Sequence, residues 1–198
     1  MITKKYLAVS LLALVLVALG LFAITRSGAF AAHDSPVAIG GPFHLINQDR
    51  VAVDETLLRG GWTALYFGYS FCPDACPATL TSLAAAQAKL LGQNKTLRVV
   101  FITVDPARDT PAQLKTYLSS PSFPKATTGL TGSPEQVAAA AKAYHIFFKR
   151  NGAGAGYSVD HSSIIYLIDP RGQFNRPIGY DLSPTEMADQ IRQAMAAG

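Results

Sequence analysis

The stretch Tyr69-Ser70-Phe71-Cys72-Pro73-Asp74-Ala75-Cys76-Pro77 holds both cysteines of the 198-residue chain, and its surroundings decide the fold. Upstream, Thr63-Ala64-Leu65-Tyr66-Phe67-Gly68-Tyr69 is aromatic and apolar and reads as a buried strand. Downstream, the pattern predicts a helix from Pro77 that stops at Gly92, since Pro suits the first helical turn and Gly the position past the end. Cys72 then lies in the strand-to-helix turn and Cys76 at the helix N-terminus. Amide N–H groups and the macrodipole favour negative charge there, so a thiol loses its proton more readily. The thiolate is both the nucleophile and the metal ligand. Two cysteines one helical turn apart can turn their sulfurs to one side, to close a disulfide or to grip a soft metal ion. A purely structural disulfide is the weaker reading, because a bridge across so short a loop removes little unfolded-state entropy.

Working outward, the predicted helix carries Leu80, Leu83, Ala84 and Leu91 at helical spacing, with Gln87 the one polar member of that face. Leu97-Arg98-Val99-Val100-Phe101-Ile102-Thr103-Val104-Asp105 is a near-continuous apolar run, the pattern of a parallel strand buried on both faces. Strand, helix, strand implies a right-handed crossover in an α/β layer. Three later helices announce themselves. Thr110-Pro111-Ala112-Gln113, Ser133-Pro134-Glu135-Gln136 and Ser183-Pro184-Thr185-Glu186 each combine a capping hydroxyl, a Pro at the first position and Glu or Gln at the third. The first should end before Pro121. The second should reach about Tyr144, with Val137, Ala140, Ala141 and Tyr144 inward. The third should bury Met187, Ile191 and Met195. Strands are expected over 146–150 and 162–169, the second turning at Pro170-Arg171-Gly172 into an antiparallel neighbour from Gln173 to Arg176, with a glycine-rich loop over 151–156. A βαβ unit, a helix and a ββα unit make an α/β, thioredoxin-like layout, a mixed central sheet flanked by helices with the cysteines after its first central strand.

Toward the N-terminus, residues 43–48 and 51–56 should pair as a hairpin, and Trp62, the only tryptophan, is assigned to core or rim packing. Residues 6–24 form nineteen positions without a charge, about the length that crosses a bilayer as a helix. Lys4 and Lys5 precede them, which places the N-terminus in the cytoplasm and the domain outside. A cleaved leader is the competing reading, with Ala29-Phe30-Ala31 as its site. The length of the apolar run and the intervening Arg26 favour a retained anchor. The expected organisation is an anchor over 1–26, a tether over 27–42 and a domain over 43–198. Lys4, Lys5 and Arg26 are the only charges in residues 1–32; without them the seventeen bases fall to fourteen against thirteen acids. The basic balance is thus no argument for nucleic-acid binding. An exported domain is one in which disulfides can form and persist.

His33 falls in the tether, where a lone histidine is normally solvated. His44 opens a strand with no link to the cysteine loop, and His145 ends a helix, where its positive form suits the macrodipole. His161 differs. It precedes a strand beside a glycine-rich loop, and in a thioredoxin-like layout that loop faces the redox cysteines. Cys72, Cys76 and His161 would be a soft, three-coordinate set. Structural zinc normally takes four protein ligands and iron–sulfur clusters take more cysteines, which leaves copper by elimination. An incomplete shell favours handing the ion on.

These residues resemble the Sco, or SenC, family of copper proteins for cytochrome c oxidase assembly. The resemblance rests on Cys72-Pro73-Asp74-Ala75-Cys76-Pro77, on Phe101-Ile102-Thr103-Val104-Asp105-Pro106-Ala107-Arg108-Asp109-Thr110-Pro111 and on Tyr157-Ser158-Val159-Asp160-His161-Ser162, in that order, and covers about residues 35–196. It implies copper ligation by Cys72, Cys76 and His161, with the two cysteines also a redox pair. It implies delivery of copper, or of reducing equivalents, to the binuclear copper site of oxidase subunit II. The expected setting is a bacterial inner membrane, single-pass, with the soluble domain in the periplasm among other copper chaperones or thiol reductants. Asp74, Asp105 and Asp160 either tune the site or serve as turn and cap residues. Two other readings stand beside the chaperone: a tethered thiol–disulfide reductase for the oxidase's copper-site cysteines, and a peroxide-consuming thiol protein. The last wants a Thr two or three residues before its cysteine, which Ser70-Phe71-Cys72 does not supply.

Overall fold

The structure, a computed structural model, describes Tyr6, Val9, residues 12–20, Phe22 and residues 38–197. The chain divides into two units, Met1–Val37 and Ala38–Gly198. In the first, residues 12–20 are helical and exposed. Among the described residues no helix is both long and apolar enough to cross a membrane. The apolar run over 6–24 falls partly outside the described residues, and His33 wholly so.

The second unit is built on nine strands: β1 (His44–Asn47), β2 (Ala52–Asp54), β3 (Thr63–Gly68), β4 (Arg98–Thr103), β5 (Thr128–Thr131), β6 (Phe148–Asn151), β7 (Ser158–His161), β8 (Ile164–Ile168) and β9 (Phe174–Gly179). Seven form one sheet in the order β2-β1-β5-β4-β3-β8-β9, while β6 and β7 pair as a separate ribbon. β3, β4 and β5 run parallel to one another; β8 pairs antiparallel to β3 and β9, and β1 antiparallel to β5 and β2. All six residues of β3 are buried, which fits its unbroken apolar sequence and its place in the interior of the sheet. This is the thioredoxin-like α/β arrangement expected from the sequence.

Four helices flank the sheet: α1 (Ala75–Leu91), α2 (Pro111–Leu118), α3 (Pro134–Ala143) and α4 (Pro184–Ala197). α1 packs on α4, α2 on β5 and α3 on β1. The start signals work as the sequence predicts. Thr110 Oγ accepts from the Gln113 amide, Ser133 and Gln136 close a reciprocal capping box, and Ser183 and Glu186 do the same. Val137, Ala140, Ala141, Tyr144, Met187 and Ile191 are buried, and Met195 and Trp62 pack against the core. The buried face of α1 is Cys76, Thr79, Leu80, Leu83, Ala86 and Leu90; Leu91, expected inward, is exposed, and the half-buried Gln87 donates to the Leu97 carbonyl at 2.9 Å and accepts from the Lys125 amide at 3.0 Å. The hairpin of β1 and β2 turns on Asn47, whose side-chain oxygen accepts from the amides of Asp49 and Val51.

Three further expectations need correction. Helix α1 begins at Ala75 and not at Pro77, so Pro77 sits inside the first turn, where no intrahelical donor is needed. The sequence pattern marks no strand at β5. Its four residues include Gly129, and Leu118 of α2 packs where a Cβ would stand, so close packing removes the apolar signal that marks a strand. The segment before β8 is also a strand: β7 pairs with β6 in register from Phe148↔His161 to Asn151↔Ser158. His161 therefore ends the ribbon, and the following strand begins at Ile164 and not at Ser162.

Candidate metal centre

Cys72 sits in the turn after β3, where its amide donates to the Tyr69 carbonyl. It is half-buried, Cys76 is fully buried, and both are free thiols. The first turn of α1 brings them together: the Cys76 amide donates to Cys72 Sγ at 3.3 Å. Cys76 Sγ lies 3.4 Å from His161 Nε2 across 85 residues of sequence, and the Tyr66 hydroxyl donates to the same sulfur at 3.6 Å. The structure thus gathers Cys72, Cys76 and His161 at one place. His44 and His145 are exposed and elsewhere; His145, at φ +53° just past α3, faces the Ala38 carbonyl.

The backbone makes room for this arrangement. Gly68 ends β3, and a Cβ there would stand 2.9 Å from Phe101 Cε2 and 3.0 Å from Cys76 Sγ. The imidazole is oriented from its far side, with Nδ1 3.2 Å from the Ser162 carbonyl oxygen. A carbonyl only accepts, so Nδ1 donates its proton there, and Nε2 is the ring nitrogen that faces Cys76. The rings of Tyr66 and Tyr69 meet the imidazole edge-on, at 6.3 Å and 5.9 Å.

The two thiols are electrostatically unlike. The Cys76 S–H pulls the Cys72 thiol down to about 5, with help from the Cys76 and Asp74 amides at the helix start and from His161, against opposing burial. Holding that proton for Cys72, and buried besides, Cys76 is pushed well above the ordinary thiol range. The reduced pair is therefore a Cys72 thiolate beside a Cys76 thiol, one proton shared between two sulfurs. Burial above all, then the neighbouring Cys76, also raises the Tyr66 phenol, which stays a donor. Among the described residues, no three His, Cys, Asp or Glu side chains already stand at metal-ligating geometry. The donors are nonetheless two sulfurs and an imidazole, a set suited to a soft ion.

Around this centre lie the aspartates named from the sequence and one, Asp109, that sequence reasoning did not single out as a site residue. Asp109 is wholly buried beneath the cysteine loop and accepts from the Ser70 amide at 3.0 Å, from the Ser70 hydroxyl and from the Thr103 hydroxyl at 2.6 Å. Gln113 of α2 donates to Ser70 Oγ at 3.1 Å. Asp105 is buried and pairs with Arg108, while Asp160 is exposed on the ribbon and Asp74 makes no side-chain cap to α1. The available signal was three charged or capping residues, Asp105, Arg108 and Asp109, directly after an apolar strand that ends beside the cysteine loop.

The family model described as SCO1/SenC matches residues 31–196. The chain belongs to the SCO1/SenC family. It is 41% identical over 157 residues to Protein SCO1 homolog 1, mitochondrial, of Arabidopsis thaliana, covering 78% of this chain and 46% of that protein. It is 40% identical over 173 residues to Protein SenC of Rhodobacter capsulatus, covering 86% of this chain and 75% of that one. The chain thus spans about half the length of the plant relative and three quarters of the bacterial one. The crystal structure of Arabidopsis thaliana ScoI with copper bound superposes with a TM-score of 0.77 at 38% identity, covering 81% of this chain and all of that one.

Proposed function

We propose that this member of the SCO1/SenC family binds copper through Cys72, Cys76 and His161. It delivers the ion to the binuclear copper site of cytochrome c oxidase subunit II during assembly. The observation that carries the reading is the approach of His161 to the cysteine pair, the imidazole Nε2 lying 3.4 Å from Cys76 Sγ while the Cys76 amide donates to Cys72 Sγ. The copper-bound relative of the same fold supports it. The N-terminal apolar run, which lies only partly within the described residues, serves as the single-pass anchor, and the domain works in the periplasm.

Thiolate softness favours Cu(I), and the imidazole lets the site hold Cu(II) as well. Cys72 enters as a thiolate already. Uptake displaces the Cys76 proton, and Tyr66, kept neutral by burial, stays beside the sulfur as a donor. Oxidation of the loaded pair joins the two thiolate sulfurs, passes two electrons to an oxidant of the exported compartment and removes two ligands, so the ion leaves. Redox state thereby gates copper affinity.

The test is a copper titration of the detergent-solubilised chain, reduced and oxidised, beside His161→Ala, read by thiolate-to-copper charge transfer. Expected are one-to-one binding by the reduced chain, its loss on oxidation, and a larger loss of Cu(II) than of Cu(I) affinity in the variant. Equal losses for the two oxidation states would sink the role given to His161. One observation favours a second reading, a thiol–disulfide reductase that keeps the oxidase's copper-site cysteines reduced. The lowered Cys72 thiol beside a buried partner is the arrangement of an attacking and a resolving cysteine. No copper binding in any state, with rapid reduction of a disulfide, would select it.

A further inference from the structure

His161 does not ride on the main sheet. It ends β7, and the ribbon of β6 and β7 shares no ladder with the seven-stranded sheet that carries the cysteine loop. Something else must hold the imidazole against Cys76. The contacts converge on Arg108, which follows β4. Its guanidinium lies 3.6 Å from the centroid of the Tyr157 ring on one side and 4.7 Å from that of Phe71, the neighbour of Cys72. Its Nη1 donates to the Tyr157 carbonyl at 3.0 Å, and its Nε to the buried Asp105. The Tyr157 hydroxyl donates to the other oxygen of Asp105, and the Val159 amide of β7 donates to the Tyr69 hydroxyl at 3.4 Å. Tyr69 in turn meets the His161 ring edge-on.

We propose that Arg108 is a positioning residue: a latch that pins the ribbon carrying His161 to the loop carrying Cys72, and so holds the imidazole at the sulfurs. A stability role alone accounts poorly for it. A buried ion pair is weak evidence of net stabilisation, since the desolvation of both charges offsets their attraction. What the guanidinium offers is planarity. It lies over two rings while donating to Asp105 and to the Tyr157 carbonyl, one ring on each side of the gap between loop and ribbon.

Two measurements on the full chain in detergent test this, with Arg108→Ala, Arg108→Lys, His161→Ala and the double variant Arg108→Ala/His161→Ala. The first needs no metal: amide exchange across residues 157–161 in the reduced apo chain. Loss of the latch should speed it at least about tenfold, by local opening, with exchange in β3 and β4 unchanged. The second rests on the proposed copper function. Supports of metal ligands typically change affinity by about 10- to 100-fold, so Arg108→Ala should weaken Cu(II) binding about tenfold. The same change made in the His161→Ala background should matter less than about threefold, because the ligand it positions is gone. Unchanged exchange, or equal losses in the two backgrounds, overturns the proposal. If the reduced parent chain takes no copper, the proposed function fails and the exchange measurement still decides the latch. Should Arg108→Ala not fold, Arg108→Lys, which keeps the charge without the plane, must shift both readouts in the same direction.

Discussion

Gly68→Ala tests how tightly the buried sulfur is held. The added Cβ would stand 2.9 Å from Phe101 Cε2 and 3.0 Å from Cys76 Sγ, with Phe101 Cζ at 3.2 Å. Carbon atoms in contact prefer about 3.5–4.0 Å, so roughly half an ångström must be found on two sides at once. The Phe101 ring is boxed between Tyr66 and Tyr117, at 6.0 Å and 5.9 Å between centroids, and Cys76 is fixed in the first turn of α1. Overpacking of this kind costs about 1–3 kcal/mol. In a chain of this size each kcal/mol lowers Tm by about 2–4 °C, which gives a drop of about 2–12 °C in a circular dichroism melt of the reduced chain. Gly92→Ala is the internal control. Gly92 is right-handed helical at φ −60°, and its Cβ would meet only the Lys89 and Ala88 carbonyl oxygens at 3.5 Å and 3.6 Å. There the substitution should be neutral or should stabilise by up to about 1 kcal/mol through the unfolded chain. A Gly68→Ala variant that melts with the parent would refute the argument, as would a Gly92→Ala variant that falls as far.

Alkylation of the reduced chain by iodoacetamide should stay nearly flat from pH 8 to about 6 and fall through a midpoint near the Cys72 value of about 5; a midpoint near an ordinary thiol, about 8.5, refutes the shared-proton description. Between about 9 and 5 the unfolded chain binds the Cys72 proton and the native one does not, so this group's contribution to stability grows with pH across that window and is lost as pH falls through it. Asp109→Asn puts an amide donor where three protein donors converge, and should cost about 1–3 kcal/mol in a urea melt. Burial raises the Asp109 carboxyl above the ordinary range, so the parent's advantage should narrow as pH rises from about 4, and a widening gap would contradict that shift.

What the sequence made legible, and what it hid, follows from the range of the interactions. Thr110, Ser133 and Ser183 announce their helices because a cap is satisfied within three residues, and each bond forms as the local pattern says. The cysteine loop is legible for the same reason, since a strand, a turn and a helix start are all local signals. β5 is hidden because its Gly129 answers to Leu118 on another element. β7 is hidden because only Val159 of its four residues is buried, so it has no apolar face to show. Asp109 and Arg108 stand in the sequence only as charged residues of a motif before a capped helix. Their burial becomes visible only when Ser70, Tyr157 and Phe71 arrive from elsewhere in the chain.

The same division explains the chemistry proposed for the site. The two sulfurs come from one helical turn, so their spacing is set locally and survives motion elsewhere in the chain. The imidazole arrives from 85 residues away on a ribbon outside the main sheet, and its approach to Cys76 depends on side-chain contacts made around Arg108. A donor set built this way has one rigid pair and one separable member. Oxidation acts on the pair, which the helix start already holds within reach of a disulfide. Displacement of the ribbon acts on the third donor alone. A site that must release its ion gains from having these two controls apart, because either can open the shell without unfolding the strand and helix that carry the cysteines.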